Sequence, residues 1–192
     1  FPNQFSRYFA FSINVLAMAG ILIMLFKIVK RITKNNLYAL IATGTIALSI
    51  ACTKMTIYLR KYATITFFVL SMIYMNLKIF ERKNTAKFTD FLILGLITLL
   101  GTLTQYYFIL FEGLTGLIML VFQIKERNIK DLIKYIITAV LGSAAALCIY
   151  PYIITNVLGG NRGFGSLSIS IDPITVVTYF AYKIGTYIQV LA

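Results

Sequence analysis

Charged residues are scarce in this chain of 192 residues: they make up 12% of it, whereas hydrophobic residues make up 59%. A water-soluble domain carries about a quarter charged residues, because water must hydrate its surface. Uncharged runs such as 9–26 and 91–111 have no polar side that water could cover. A single water-soluble core is therefore excluded, and the sequence predicts helices that span a membrane.

Histidine is absent, and there are only 2 cysteines. Cys52 and Cys148 both lie in apolar segments. This usage indicates neither a disulfide framework nor a histidine metal site. We therefore expect no metal and no cofactor.

Acidic residues are also few, since 6 Asp and Glu face 18 Lys and Arg, for a net charge of +12. In a soluble protein such an excess would suggest nucleic acid as a partner. In a membrane protein, basic residues collect in cytoplasmic loops and contact anionic headgroups. The expected partners are membrane lipids, with no nucleic acid among them.

The apolar segments predict an all-α fold, a polytopic transmembrane helical bundle with about seven membrane segments. We expect a single transmembrane region over 1–192, truncated at both ends because residue 1 is Phe and 184–192 is still apolar. The predicted segments are about 9–29, 37–53, 62–80, 88–105, 106–124, 132–152 and 174–192.

The long run 91–124 decides the predicted topology. One helix over this run would be about 50 Å long, beyond a hydrocarbon core of about 30 Å, so two helices turning near 101–105 are favoured. The basic loops 27–37, 78–88 and 125–134 then share one side, which the positive-inside rule makes cytoplasmic. A single long helix would divide the basic residues almost equally.

Basic residues on the predicted external side are candidates for binding an anion. Lys54, Arg60 and Lys61 crowd into one short connection, where they form an anion site or only reach lipid headgroups. Arg162 lies in GGNRGFG, which either cradles phosphate or sugar oxygens or is a solvated loop.

Two carboxylates have positions that allow either a functional or a structural role. Glu112 lies inside a membrane segment, where a carboxylate is costly unless it is protonated, paired or wet. It is either a functional residue or, as we favour, close enough to the external surface to reach it. Asp172 precedes Pro173 at a helix start and is interpreted as a helix cap.

Four stretches, taken in order, resemble the family 39-type, protein O-mannosyltransferase-like membrane glycosyltransferases of the GT-C superfamily, and in particular their bacterial members. They cover most of positions 5–165 and read FSRYFAFSINV, YLRKYATITFFVLS, LGTLTQYYFILF and YPYIITNVLGGNRG.

Individual residues carry this resemblance. Arg60 and Tyr62 match an Arg-x-Tyr element that leads into a membrane segment in the family. The chain also matches a Leu-Gly-x-Leu-Thr-His-Tyr-Tyr element up to Tyr106 and Tyr107, except that Gln105 stands where a His is usual. Glutamine replaces only the hydrogen bonds of that His, not its proton chemistry. Arg162 matches the Arg of an Arg-Gly pair.

The resemblance implies transfer of a sugar from a polyprenyl-phosphate donor to a glycan, lipid or protein acceptor on the external face of the bacterial plasma membrane. It assigns donor phosphate binding to Arg60, Lys61 and Arg162. It assigns the sugar site to Tyr62, Gln105 and Tyr106. The catalytic carboxylate of the family lies in an external loop upstream of the region matched here, so we expect no catalytic residue in this chain and no activity from it alone.

Two other classes of protein stay open. A transporter or flippase of lipid-linked sugars would use similar basic groups without breaking a bond, but such proteins usually contain internal repeats, and none is evident. A structural membrane subunit would leave the external basic cluster unexplained.

Overall fold

A computed structural model of the chain describes residues 4–57, 61–82, 86–126 and 128–153, without the side chains of 4–7. Residues up to Tyr150 form one compact unit, and a second unit begins at Pro151. The described residues contain seven α-helices: α1 (Gln4–Thr33), α2 (Asn36–Ala47), α3 (Ile50–Ile57), α4 (Tyr62–Glu81), α5 (Phe88–Thr104), α6 (Phe108–Lys125) and α7 (Ile129–Ile149). The predicted segment 174–192 lies outside this description.

Four of these helices, α1, α4, α6 and α7, are long and apolar enough to cross a membrane. A fifth span results if α2 and α3 are counted together, and α5 is a shorter apolar helix of 17 residues. Large apolar side chains cover their outer faces, and Leu16, Leu117 and Leu141 are each more than 60% exposed. Lipid is the solvent that accommodates such faces, so the described helices form the bundle of a membrane protein.

The predicted segment 37–53 is divided into α2 and α3, which are bent by 59°. Ser49 lies at the bend. Its hydroxyl donates to the carbonyl of Ile46 at 2.7 Å and accepts the backbone N–H of Cys52 at 3.2 Å. A serine that accepts this N–H caps a new helix start, which explains why one apolar segment becomes two helices.

The long run 91–124 also forms two helices, as predicted. Gln105 has extended backbone angles, φ −153° and ψ 118°, and its carbonyl accepts the N–H of Phe108 at 2.9 Å. A Cβ on Gly101 would lie 2.6 Å from the Phe108 ring, so glycine leaves the room that this ring needs. The turn at 105–107 therefore reverses the chain within a few residues.

Helices α5 and α7 approach each other closely. A Cβ on Gly142 would lie 2.8 Å from the carbonyl oxygen of Gly95 and 3.0 Å from the Cβ of Thr98. Small residues permit such backbone contact, and in lipid this packing contributes much of the association between helices. Beside the crossing, α5 and α7 both contribute to a buried apolar cluster, which includes Met72, Phe91, Leu94, Phe108 and Tyr135.

Ion pairs bring the basic loops to one end of the bundle. Arg31 pairs with Glu81 at 2.7 Å, which places the ends of α1 and α4 together. Asp90 at the start of α5 pairs with Lys78 at 2.7 Å and also with Arg82. Lys134 of α7 brings the third loop to the same end, since its Nζ lies 5.7 Å from the centre of the Phe91 ring of α5. We call the described residues of 27–34, 78–90 and 125–134 the basic end. The shared side that the sequence predicted for these loops is observed in these residues.

The first prediction concerns orientation. In a variant with Cys52→Ala and Cys148→Ala, the single cysteine of Lys61→Cys should react in intact cells with a maleimide that cannot cross membranes. The matched Lys125→Cys variant at the basic end should react only after the cells are opened, because basic loops stay in the cytoplasm. Labelling of Lys125→Cys alone in intact cells would reverse the predicted topology.

The second prediction concerns the α5–α7 crossing. Gly142→Ala should lower the free energy of unfolding by about 1–3 kcal/mol, because the new methyl group meets a backbone carbonyl that cannot move without separating the helices. Gly113→Ala is the control, since its Cβ would meet nothing within 4 Å. Thermal unfolding in detergent measures both, and equal midpoints would contradict the close crossing.

Candidate functional site

Four of the six residues that resemblance assigns to the donor site are described, and they lie at the start of α4 and at the α5–α6 turn. Lys61 directly precedes α4 and is exposed, and its carbonyl accepts the N–H of Ile65 at 2.9 Å. Tyr62 is the first residue of α4, and its side chain is 51% exposed. Both side chains are therefore open to a ligand at this end of the bundle. Arg60 and Arg162 lie outside the described residues.

Gln105, Tyr106 and Tyr107 form the α5–α6 turn. Gln105 is half-buried at the end of α5, where its N–H donates to the carbonyl of Gly101 at 2.9 Å. The rings of Tyr106 and Tyr107 lie together, with centroids 4.1 Å apart and planes tilted by 40°. The turn thus presents an amide beside a pair of aromatic rings, which are groups that sugars contact through hydrogen bonds and apolar faces.

The antiparallel packing of α4 and α5 brings these two groups to the same end of the bundle. The Lys78–Asp90 ion pair joins the end of α4 to the start of α5. Because α4 and α5 also pack side by side, with Met72 and Leu94 in one buried cluster, the start of α4 and the end of α5 are both at the opposite end. We call the residues 61–62 and 105–107 the tyrosine end. Its residues share the face that the sequence predicts to be external.

Glu112 of α6 is the one acidic side chain of the described residues that lies away from the basic end. It is only 6% exposed, although it is about 6 Å from the start of α6. Thr98 of α5 donates to Oε1 at 2.8 Å, and Ser143 of α7 donates to Oε2 at 3.0 Å. The interpretation that Glu112 reaches the surface was wrong, because the side chain points between α5 and α7 rather than along the helix axis.

A groove of about 460 Å³ runs along α6 and α7 beside this carboxylate. Glu112, Tyr135 and Ser143 are its polar lining residues, and Gly113, Gly116 and Ala139 keep it open. Thr98 and Ser143 were not predicted from the sequence as partners of Glu112. Thr98 lies three residues after Gly95, and Ser143 directly follows Gly142. A hydroxyl residue near a glycine that permits close helix approach is the sequence feature that predicts such a contact between membrane helices.

Acidic side chains and cysteines lie apart in the described part of the chain. No group of three or more His, Cys, Asp and Glu side chains is arranged there to hold a metal ion. Cys52 and Cys148 are both free, the first buried and the second exposed. What the described residues do offer is a polar and aromatic end with a hydrogen-bonded carboxylate a few residues below it.

Fold and site together define a helical membrane protein whose described residues include polar groups at one end and a carboxylate between helices. Comparisons of the chain with known protein families, curated proteins and solved structures find no match. The glycosyltransferase resemblance, and the GT-C-like arrangement that it implies, therefore stay predictions.

The third prediction concerns Glu112. Glu112→Ala should lower the free energy of unfolding by about 2–4 kcal/mol, because it leaves a cavity and removes the acceptor of two buried hydroxyls. Glu112→Gln keeps one carbonyl acceptor and should cost less than half as much. Thermal unfolding in detergent compares the two variants. If both were as stable as the unaltered chain, the carboxylate would not join α5, α6 and α7.

Proposed function

We propose that this chain belongs to a membrane glycosyltransferase that moves a sugar from a polyprenyl-phosphate donor to a glycan, lipid or protein acceptor. The reaction takes place at the external face of the bacterial plasma membrane. The donor site includes the tyrosine end, where Lys61 contacts the phosphate and Tyr62, Gln105 and Tyr106 contact the sugar. The resemblance adds Arg60 and Arg162, which lie outside the described residues, as further groups that hold the phosphate.

The observation that supports this proposal is the shared position of two distant parts of the sequence. Lys61 and Tyr62, the last two residues of YLRKY, lie at the start of α4, and LTQYY ends at the turn before α6. The antiparallel α4 and α5 bring these two residues and that turn to one end of the bundle, opposite the basic end. A site for a lipid-linked sugar needs this combination of cationic and aromatic groups at the membrane surface.

The chemistry requires positive charge at this position. When an acceptor atom forms its bond to the sugar carbon and gives up its proton to a base, the bond between that carbon and the phosphate oxygen breaks and negative charge grows on that oxygen. Cationic groups placed beside it lower the barrier, because they stabilise the charge as it develops. Lys61 is exposed beside α4 and supplies one such group, and the guanidinium of Arg60 supplies a bidentate partner. Apolar helix faces hold the polyprenyl tail in lipid.

The fourth prediction tests this site in membranes that contain the chain in its full-length form and a radiolabelled polyprenyl-phosphate sugar. Arg60→Ala should lower transfer of the label to acceptor by about 10²-fold or more, the loss seen when a group that stabilises transition-state charge is removed. Lys125→Ala at the basic end is the control and should transfer at the unaltered rate, with equal amounts of each protein in the membrane.

The same assay separates the enzyme from the second candidate function. A transporter or flippase is favoured by one specific feature, the carboxylate of Glu112 between membrane helices, since such groups often lie on transport pathways. If labelled donor crossed the bilayer with its sugar still attached, and no label reached an acceptor, the glycosyltransferase proposal would be abandoned. Unchanged transfer by Arg60→Ala would remove Arg60 from the site.

A further inference from the structure

The basic end contains a cavity that the proposed reaction does not use. Its volume is about 420 Å³, and it lies between the last turns of α1 and the C-terminal half of α4. Four cationic side chains line it together with one tyrosine and one carboxylate: Lys27, Lys30, Arg31, Lys34, Tyr74 and Glu81. We call it the basic pocket.

Two cations of the basic pocket lie against the ring of Tyr74. Lys27 Nζ lies 5.9 Å from the centre of the Tyr74 ring, and the Arg31 guanidinium carbon lies 5.3 Å from it. Arg31 also donates from Nε to Glu81 Oε2 at 2.7 Å, which holds the guanidinium in place. A ring and a carboxylate on α4 thus position two cations of α1, and a merely solvated charged face would not require this packing.

The spacing of the four cations is electrostatically unfavourable without an anion. Residues 27, 30 and 31 are three and four apart, so they lie along one face of α1, and Lys34 lines the same cavity just after the helix ends at Thr33. Like charges at these spacings repel one another. Glu81 is the one carboxylate among the lining residues and neutralises only part of the charge. Interaction with the C-terminal dipole of α1 favours basic residues here but does not explain a cavity with an aromatic wall.

Position along the helix indicates the chemistry of the anion. The apolar span of α1 runs over Tyr8–Thr33, so the basic pocket lies at its last turns, where lipid headgroups meet water. Basic pockets between membrane helices at this depth bind phosphate-bearing headgroups. We propose that the basic pocket binds a phosphate group, carried by an anionic phospholipid or by a soluble phosphate. This inference does not rest on the proposed function, which uses the opposite end.

The test measures how much phosphatidylglycerol stays bound to the purified full chain in native mass spectrometry, with phosphatidylcholine as the zwitterionic reference. The Lys27→Gln, Lys30→Gln double variant keeps the Arg31–Glu81 ion pair. Its affinity for phosphatidylglycerol should fall by about tenfold or more, since it removes two charge contacts at a membrane surface. Lys125→Gln, Lys130→Gln is the matched control. It removes the same charge at the same end and should change binding less than twofold.

A variant that is expected to strengthen phosphatidylglycerol binding distinguishes a loss of binding contacts from structural damage. Glu81→Gln breaks the Arg31–Glu81 ion pair but removes the carboxylate that competes with the anion, so it should bind phosphatidylglycerol more strongly. Weaker binding by Glu81→Gln, or equal losses in the two lysine double variants, would overturn the proposal.

The source of the phosphate follows from competition with inorganic phosphate. If excess inorganic phosphate displaces phosphatidylglycerol from the unaltered chain, the basic pocket takes a soluble phosphate. If it does not, the headgroup and its lipid are recognised together. Absence of any preference for phosphatidylglycerol over phosphatidylcholine, together with no effect of inorganic phosphate on thermal stability, would show that no phosphate site exists.

Discussion

Helices α5 and α7 touch backbone to backbone at Gly95 and Gly142, and much of the described structure depends on this contact. Lipid is as apolar as the helices themselves, so no hydrophobic force drives them together, and close packing with hydrogen bonds must do so. The contact brings Thr98 and Ser143 to opposite sides of one carboxylate on α6. Three helices are thereby joined at a single side chain, and the groove along α6 and α7 follows from their arrangement.

A second constraint acts at the ends of the helices. Charges are expensive in hydrocarbon, so they collect where the helices leave it. At the basic end they pair across helices, Arg31 with Glu81 and Lys78 with Asp90, which sets α1 parallel to α4 and α4 antiparallel to α5. The two ends of the bundle become chemically different as a result. The proposed sugar-donor site and the inferred phosphate site use residues from these two different ends.

Some of this was predictable from the sequence, because it depends on quantities that sequence displays directly. The division of 91–124 into two helices follows from length alone, and the shared side of the basic loops follows from counting charges. The residues of the tyrosine end were found by resemblance, and the structure places Lys61, Tyr62, Gln105 and Tyr106 at one end without testing their roles. The bend at Ser49 was missed, because a serine cap inside an apolar run is a local hydrogen-bonding choice that hydropathy averages away.

By itself the sequence determined that the protein is helical and lies in a membrane, because the cost of exposing apolar side chains to water is a sum over residues and needs no knowledge of their neighbours. The partners of individual polar groups were decided only by the tertiary structure. Glu112 stays inside rather than reaching the surface because two hydroxyls from other helices meet it, and Lys27 and Arg31 line a pocket because Tyr74 of α4 packs beside them. Such contacts join residues far apart in the chain, and the direction of a side chain between packed helices is set by its neighbours in space.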